Sequence, residues 1–326
     1  MRRLLLAALL LAASAVAPAW AQAQGQSLGQ NGGQERPIRL IVPFPPGGGT
    51  DVVARVVAQR LGEALGVTVV AENRPGAGGS IGSEVVARAV PDGTTIGIAT
   101  SSTHPAAVVL QKGVPYDPVR DFAPITQIGV TPYILVAGPG MPATLAEFLA
   151  LARARPGALS YASVGSSTLG YLLTRHLELL TGTQMVHVPY RGSSQAYPDL
   201  VNGTVAVLLD NPTGSAGLVR DGRLRGYAVT VPSAVLPDVP GFAAAGVPGF
   251  ETPFWYGLVG PAGLPAAQAA RMQQALARHF LGAGRAELAD KDVTPVMGTP
   301  AAFGAVIAAD LASFKALAER AGIQPE

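Results

Sequence analysis

The sequence predicts an α/β protein built from two doubly wound lobes that are joined by two crossover strands. Short apolar runs alternate with segments whose apolar residues recur at helical spacing, which is typical of parallel sheets covered by helices. This alternation occurs twice along the chain, and several of the runs are followed by loops rich in Gly or Ser. Pro132 and Pro253 mark the two points where the chain is expected to cross between the lobes.

The composition favours a folded protein and argues against a dedicated zinc site. The chain has 326 residues, of which 48% are hydrophobic and 13% charged, so it can bury the core of about two domains. The absence of Cys excludes disulfides, thiolate metal ligands and Cys nucleophiles. The four His residues lie far apart, and none has the i, i+4 spacing of a helical metal pair.

The first 21 residues predict an export signal. Arg2 and Arg3 precede an apolar run at 4–16, and Ala19-Trp20-Ala21 provides small residues for cleavage after Ala21. The run is shorter than the roughly 20 residues of a spanning helix, although an uncleaved anchor remains the alternative. Removing both Arg leaves equal numbers of basic and acidic residues, which gives no argument for nucleic-acid binding. The protein is therefore expected to be exported, and residues 22–35 are expected to form a flexible leader.

The elements of the first half follow from apolar runs and turn residues. Residues 38–42 form an apolar run that Pro43 ends, which predicts a strand. A helix is expected over 52–65, with Thr50 or Asp51 as its N-cap and Gly66 at its end. The same reasoning predicts a strand at 67–71, a glycine-rich loop at 73–82, a helix at 83–89 and a strand at 94–99.

The second half repeats this order before the chain returns. Each predicted strand is again a short apolar run, and each predicted helix ends near Gly or Pro. The predicted strands are 134–137, 159–162, 185–188, 205–209, 227–231 and 255–259, and the predicted helices are 145–153, 171–180, 198–201, 266–280 and 301–321.

The loop at 47–51, which we call the glycine cradle, predicts an anion site. Three consecutive Gly residues separate a strand from a helix, so backbone N–H groups can point into one space at a positive helix end. A tight turn without a ligand is the alternative, although three Gly exceed what a turn needs. The loop lacks the Gly-Lys-Ser/Thr of a phosphate-binding loop, and Val52 stands where the dinucleotide fingerprint needs Gly.

A second motif, Gly78-Gly79-Ser80-Ile81-Gly82, matches G-x-S-x-G. A serine hydrolase needs a strand directly before this motif, whereas residues 75–77 intervene here. Asp210 and His279 are the candidate partners of Ser80, and an exported hydrolase is therefore kept as a minor alternative.

The loop at 163–168, which we call the serine loop, repeats the cradle pattern with small hydroxyl residues before a helix. It predicts either a second anion cradle or an ordinary capping loop. Residues 100–103 and Asp210 also follow strands, at the sheet edge where open α/β folds bind ligands. Asp210 could accept a hydrogen bond from a ligand ammonium or hydroxyl group, and Arg191 could pair with a carboxylate or lie in solvent.

Several longer motifs resemble the Bug-type periplasmic receptors, the extracytoplasmic solute receptors of tripartite tricarboxylate transporters. The resemblance runs from about residue 36 to residue 323. Its motifs are RPIRLIVPFPPGGGTDVVAR (36–55), ENRPGAGGSIG (72–82), PDGTTIGIATSS (91–102), PYDPVRDFAPIT (115–126), HVPYRGSSQAYPDLVNGTV (187–205), LPDVP (236–240) and WYGLVGPAGLP (255–265).

The resemblance implies a type II periplasmic-binding-protein fold, a Venus flytrap with lobe 1 at 36–131 and 254–326 and lobe 2 at 132–253. It implies a monomeric, non-enzymatic receptor without a cofactor. The receptor would bind a di- or tricarboxylate, an acidic amino acid or an aromatic acid, and deliver it to the integral-membrane subunits of a tripartite tricarboxylate transporter. A sensor uncoupled from transport is the alternative. The implied ligand contacts are Phe44, Gly48, Gly49, Asp51, Ser101, Ser102, Ser163, Gly165, Ser166, Ser167, Tyr190, Arg191, Gly192 and Asp210.

The serine loop departs from the family pattern. Val164, Ser167 and Tyr171 stand where the family usually has Ser, Gly and His. A bulkier loop is expected to narrow the pocket, so these positions leave the identity of the ligand open.

Overall fold

A computed structural model describes residues 36–325 of the chain. The predicted signal peptide and the predicted leader lie outside the described residues. The strands are β1 (Ile38–Val42), β2 (Val69–Asn73), β3 (Thr95–Thr100), β4 (Phe122–Thr131), β5 (Ile134–Ala137), β6 (Ser160–Ser163), β7 (Val186–Pro189), β8 (Val207–Asp210), β9 (Arg225–Val229), β10 (Phe254–Pro261) and β11 (Thr294–Pro295).

The helices lie between these strands, as the sequence pattern predicts. They are α1 (Gly49–Leu65), α2 (Ser80–Ala87), α3 (Ala107–Leu110), α4 (Leu145–Ala154), α5 (Leu169–Thr181), α6 (Ser193–Val201), α7 (Pro212–Arg220), α8 (Ala266–Phe280), α9 (Arg285–Ala289) and α10 (Pro300–Arg320), with a short 3₁₀ turn at Ala77–Gly79 and a π-helical turn at Ser102–Ala106.

Two mixed sheets form the framework. The first sheet has the strand order β11-β4-β10-β3-β1-β2, and the second has the order β7-β6-β8-β5-β9. β1 is parallel to β2 and β3, and β6 is parallel to β7 and β8. β10 runs antiparallel to β3, and β5 runs antiparallel to β8. The predicted parallel pairing is therefore found among β1, β2 and β3 and among β6, β7 and β8, while β10 and β5 make both sheets mixed. The chain enters β5 from the first sheet and β10 from the second. β5 runs antiparallel to its neighbours β8 and β9, and β10 runs antiparallel to its neighbours β3 and β4.

The start of α1 also differs from the prediction. Gly48 is its N-cap without a side-chain hydrogen bond, so Thr50 and Asp51 lie inside the first turn rather than capping it. The carboxylate of Asp51 instead accepts from the backbone N–H of Gly47, which precedes the helix. At the other end Gly66 adopts a left-handed φ of 74° and donates its N–H to Gly62, which confirms the predicted stop.

Some elements have no clear sequence signal. β4 was not predicted, and its Pro124 faces a register shift in the pairing with β10. α7 was not predicted because its sequence, PTGSAGLVR, contains two Gly residues and little apolar periodicity. α2 begins at Ser80 rather than at residue 83, since the 3₁₀ turn leads directly into it.

Helix faces and sheet faces share the core. α1 buries Val53, Val57 and Leu61 fully, and their spacing is that of one helical face. α10 is long and apolar enough to span a membrane by composition alone. Its Phe303 and Phe314 are buried, however, and the helix lies against β4 of the first sheet. The helices and sheets thus pack together through the core, while loops that follow the strands line the cavity.

Candidate ligand-binding cleft

A cavity lies where loops of the two sheets meet. Its volume is about 40 Å³, compared with about 10–15 Å³ for a single buried water. The cavity in this conformation therefore suits a small ligand. It is lined by Phe44, Pro45, Gly48, Gly49, Thr50, Ser102, Tyr133, Val164, Gly170, Gly192, Ser193, Leu209, Asp210, Asn211 and Phe254.

The N-termini of four helices reach this cavity. Gly48 and Gly49 begin α1, Gly192 is the N-cap of α6, Asn211 is the N-cap of α7, and Gly170 lies in the first turn of α5. None of the four N-caps accepts a hydrogen bond through its own side chain. Helix N-termini carry partial positive charge and unpaired N–H groups, which together attract anions. The lining that the described residues supply contains no Arg, Lys or His, so backbone groups provide the positive potential.

Asp51 supports the glycine cradle from behind the cavity. Its Oδ2 accepts from Gly47 N at 3.1 Å and from Arg55 Nε at 2.9 Å, and its Oδ1 accepts from Asn73 Nδ2 at 2.8 Å. Asn73 Nδ2 also donates to the carbonyl of Phe44, at the start of the loop. Burial alone would raise the pKa of Asp51, but these hydrogen bonds hold that pKa below its ordinary value. An ionised Asp51 thus fixes the backbone that faces the cavity.

The π-helical turn after β3 brings two Ser side chains to different places. Ser101 is fully buried, and its Oγ accepts from the backbone N–H of Trp255 at 2.9 Å. Ser102 lines the cavity, and its Oγ accepts from the N–H of Leu169 at 3.1 Å. Leu169 is the first residue of α5, so a residue that follows the first sheet caps a helix that packs on the second.

Three hydroxyl groups of the serine loop, those of Ser163, Ser167 and Thr168, form hydrogen bonds within the protein. Ser163 Oγ lies 2.6 Å from His187 Nε2 and accepts from Gly165 N at 3.1 Å. Thr168 Oγ1 donates to the carbonyl of Gly165 at 2.8 Å rather than capping α5. In the serine loop only Val164 reaches the cavity lining.

A second groove lies beside the cavity and shares Val164 with it. Gly165, Ser166, Ser167, Tyr190 and Arg191 line this groove opposite residues 76–78. Ser167 Oγ donates across it to the carbonyl of Ala77 at 3.4 Å. The serine loop therefore contacts the first half of the chain directly.

Asp210 places a carboxylate in the cavity wall. Its Oδ1 accepts from Ser193 Oγ at 2.9 Å, and its Oδ2 accepts from Tyr197 OH at 2.6 Å. Burial raises the pKa of Asp210 above its ordinary value, although the two hydroxyl donors and the Asn211 N–H oppose that effect. The neighbouring Asn211 is 8% exposed, and its Oδ1 has no hydrogen-bond partner among the described residues.

This geometry is that of a ligand cleft between two α/β lobes, and sequence comparison identifies its family. The profile of the tripartite tricarboxylate transporter family receptor, TctC, matches residues 53–323. The chain belongs to this family of periplasmic solute receptors.

Relatives of this receptor cover most of its length. BugT of Bordetella pertussis is 36% identical over 275 residues, which are 81% of this chain and 83% of BugT. The structure of R. palustris Rpa4515 with adipate has 34% identity and a TM-score of 0.86, and covers 89% of this chain and 99% of that one. MatC of Rhodopseudomonas palustris, with bound malate, has 30% identity and a TM-score of 0.82, and covers 86% and 98%. The predicted two-lobed periplasmic-binding-protein fold is confirmed.

The receptor places its predicted ligand contacts in three groups. Phe44, Gly48, Gly49, Ser102, Gly192 and Asp210 line the cavity. Gly165, Ser166, Ser167, Tyr190 and Arg191 line the neighbouring groove. Asp51, Ser101 and Ser163 lie behind these surfaces and hold them through hydrogen bonds.

Other cavity residues were missed from the sequence. Tyr133 and Phe254 follow Pro132 and Pro253, and their rings meet edge to face with centroids 5.3 Å apart. Their positions beside the two crossing points were the sequence feature that could have predicted a place in the cavity lining. Ser193 and Asn211 follow Gly192 and Asp210 directly, so extending each predicted contact by one residue would have found them.

The residues considered for hydrolysis do not meet in the receptor. Ser80 Oγ donates to Gln111 at 2.9 Å, whereas His279 pairs with Glu287. Asp210 bonds to Ser193 and Tyr197 instead. Within residues 36–325, no group of three or more His, Asp and Glu side chains could hold a metal ion.

Proposed function

We propose that this receptor captures a small carboxylate in the cavity and delivers it to the membrane subunits of a tripartite tricarboxylate transporter. The convergence of four helix N-termini on a lining without basic side chains carries the proposal. Such a lining favours an anion that accepts several N–H bonds at once. The related structures with adipate and with malate support the choice of a carboxylate.

In this proposal the lobes consist of residues 36–131 with 254–326, and of residues 132–253. The carboxylate first meets the N–H groups of the glycine cradle. The second lobe then closes and adds the N-terminus of α6, while Ser102 and Tyr133 complete the wall. Only contacts that are made better in the closed state stabilise closure.

The neighbouring groove extends the proposed site for a longer ligand. A chain that passes Val164 would reach Ser166 and Arg191, where the guanidinium could meet a second carboxylate. Gly165, Ser167 and Tyr190 would form the walls of this extension, while Asp51, Ser101 and Ser163 would position the backbone behind the ligand.

The test uses the exported chain, unfolded and refolded to remove any bound ligand. A ligand that binds only the native state raises Tm. We expect shifts with citrate, C4 dicarboxylates, Asp, Glu, aromatic acids or adipate, and no shift with neutral sugars. Shifts with sugars alone, or with no acid, would refute a carboxylate receptor.

Delivery and export need separate measurements. Uptake of the identified acid by cells that hold the transporter should require this receptor, and binding without uptake would favour a sensor. N-terminal sequencing of the exported protein should begin at Gln22 if cleavage follows Ala21. Size-exclusion chromatography tests the expected monomer.

A further inference from the structure

A turn at residues 291–293 bonds to a part of the chain that follows the second sheet. The turn itself lies between α9 and β11, a strand of the first sheet. Asp292 Oδ2 accepts from Ser233 Oγ at 2.5 Å, and Asp292 Oδ1 accepts from Ala234 N at 2.7 Å. Ser233 and Ala234 follow β9, a strand of the second sheet. Both oxygens of one carboxylate therefore bond across the molecule, and we call this contact of Asp292 with Ser233 and Ala234 the clasp.

The groups of the clasp are buried and held in place. Asp292 is 5% exposed and Ser233 is 7% exposed. Ser233 Oγ also accepts from Leu236 N at 3.0 Å, so its own hydrogen can point at Asp292. Beside the clasp, Thr213 Oγ1 donates to the carbonyl of Lys291 at 2.7 Å. The turn therefore meets the residues of the second half through several directed hydrogen bonds.

The backbone of the turn favours glycine at the position of Asp292. Asp292 N donates to the carbonyl of Ala289 at 2.9 Å, and Val293 N donates to the carbonyl of Leu288 at 3.0 Å. These are the two bonds of a Schellman motif, whose left-handed residue is usually Gly. Asp292 holds that position with a φ of 59°, where a Cβ atom is unfavourable. The turn alone does not account for an Asp at this position, whereas the clasp does.

The clasp lies outside both surfaces that the ligand is proposed to use. Asp292, Ser233 and Ala234 line neither the cavity nor the neighbouring groove. The clasp therefore cannot distinguish one ligand from another. Asp292 and Ser233 belong to different lobes of the proposed function, and separating a donor from its acceptor by roughly 1 Å breaks a hydrogen bond. The clasp thus depends on the present arrangement of the two lobes.

We propose that Asp292 is a positioning residue that stabilises the closed form of the receptor and raises its affinity for every ligand by the same factor. This inference rests on the proposed binding by lobe closure and adds to it a determinant outside the cavity. Contacts that form only in the closed form raise its population before a ligand arrives. Because apparent affinity scales with the population of the binding-competent form, loss of the clasp weakens all ligands alike.

Asp292→Gly tests the clasp because it removes the carboxylate and suits the left-handed backbone of the turn. The probes are succinate, malate, glutamate and adipate, titrated in a calorimeter into the refolded exported chain. We expect those that bind to do so about ten- to hundredfold more weakly, as loss of hydrogen bonds to a charged group predicts. The factor should be the same for each acid within about twofold. Asp292→Asn keeps one acceptor oxygen and should lose only about three- to tenfold.

Two further variants show whether the effect comes from the clasp. Asp290→Asn is the matched control, because Asp290 is exposed and lies two residues before Asp292. It should change each affinity by less than about twofold. Ser233→Ala should reproduce part of the loss and add little in combination with Asp292→Gly, because both changes remove the same hydrogen bond. Circular dichroism melts check that each variant folds.

Single-molecule energy transfer measures closure without any ligand. One dye on α10 and one on α4 report the distance between the proposed lobes. The closed fraction of the ligand-free protein should be smaller in Asp292→Gly than in the unaltered protein. Dissociation of a bound acid, followed by stopped flow, should be faster in the variant. A role of Asp292 confined to the stability of its own turn would change neither quantity.

The outcomes separate the clasp from the proposed function. Unchanged affinities in a folded Asp292→Gly variant would overturn the clasp and leave carboxylate capture intact, and so would a loss confined to one acid. If no acid binds the unaltered protein, the proposed function fails, and the closed fractions then decide about the clasp, which equal values would overturn. If neither variant of Asp292 folds, Ser233→Ala carries the same test.

Discussion

The glycine cradle and the serine loop occupy equivalent positions, yet they face different partners. Each connects a strand to the N-terminus of a helix, β1 to α1 and β6 to α5. The glycine cradle directs Gly48, Gly49 and Thr50 at the cavity, whereas the serine loop presents only Val164 there.

The difference comes from the side chains. Ser163 and Thr168 bond to groups of their own loop, through the N–H and the carbonyl of Gly165. Gly48 and Gly49 have no side chain that can occupy their neighbouring N–H groups. Small residues before a helix therefore predict a cradle only when no local hydroxyl uses the donors first.

Gly49→Ala should give the largest loss of carboxylate affinity, because it disrupts the glycine cradle. The added Cβ would stand 2.1 Å from Asn211 Oδ1 and 3.1 Å from Thr213 Cβ, so the Asn211 side chain would have to move from its place in the cavity wall. We expect calorimetry to show a loss of carboxylate affinity of at least about a hundredfold, or about 2.7 kcal/mol. Ser166→Ala in the serine loop is the control and should bind a C4 dicarboxylate normally, because Ser166 lies in the neighbouring groove and outside the cavity lining. Normal binding by Gly49→Ala would mean that the cradle is not the site.

Asp51→Ala should weaken the support of the first loop. Gly47 N would lose its acceptor and Asn73 Nδ2 would lose one of its two acceptors, which should lower the free energy of unfolding by about 1–3 kcal/mol at pH 7 in urea titrations. Because the native pKa of Asp51 lies below its ordinary value, this stabilisation is present above that ordinary pKa. It is lost as the pH falls through the native pKa.

The difference in stability between Asp51→Ala and the unaltered protein should therefore shrink as the pH falls below 3.8, the ordinary pKa of an Asp carboxyl group. Asp238→Ala removes an exposed carboxylate and serves as the control, with little change at either pH. A difference that stays constant with pH would show that Asp51 does not act through its charge.

Ser102→Ala should have a moderate effect, because it removes the hydroxyl group that caps α5 across the cleft. Loss of a helix cap costs about 0.5–2 kcal/mol, and we expect ligand dissociation to become about three- to tenfold faster. Stopped-flow displacement measures this rate. Ser194→Ala, which removes an exposed hydrogen bond to the carbonyl of Pro46, should change the rate by no more than about twofold. Equal effects of the two variants would argue against a special role for Ser102.

Ser167→Ala should have the smallest effect on carboxylate affinity, and it tests whether the serine loop contacts the ligand as the glycine cradle is proposed to do. Its hydrogen bond to Ala77 is long, at 3.4 Å, and Ser167 lies outside the cavity lining. We expect the affinity for a short carboxylate to change by less than about twofold in calorimetry. A tenfold loss would place the serine loop in contact with the ligand and remove the contrast between the two loops.

Much of the fold could be predicted because periodicity and turn residues agree locally. β5 at Ile134–Ala137 and α8 at Ala266–Phe280 match their predicted bounds. β4 and α7 could not be predicted, because Pro124 and two Gly residues contradict the elements that tertiary packing imposes.

The cavity could be predicted in part for a related reason. The place of Gly48 and Gly49 in the cavity lining could be predicted from the local sequence, because a run of Gly leaves the backbone N–H groups accessible. Tyr133 and Phe254 lie 121 positions apart in the sequence, beside the two crossing points, and their contact exists only in the folded chain. The hydrogen bond from Leu169 to Ser102 spans 67 residues and leaves no local pattern.

The return of the chain through β10 into the first sheet limits how a fluorescent sensor could be made from this receptor. β1 and β10 belong to the same sheet, and α10 packs on β4 of that sheet. Donor and acceptor dyes attached near β1 and on α10 would therefore keep their separation when the ligand binds. A useful dye pair needs one position on the first sheet's helices and one on α4 or α6, which belong to the other half of the molecule.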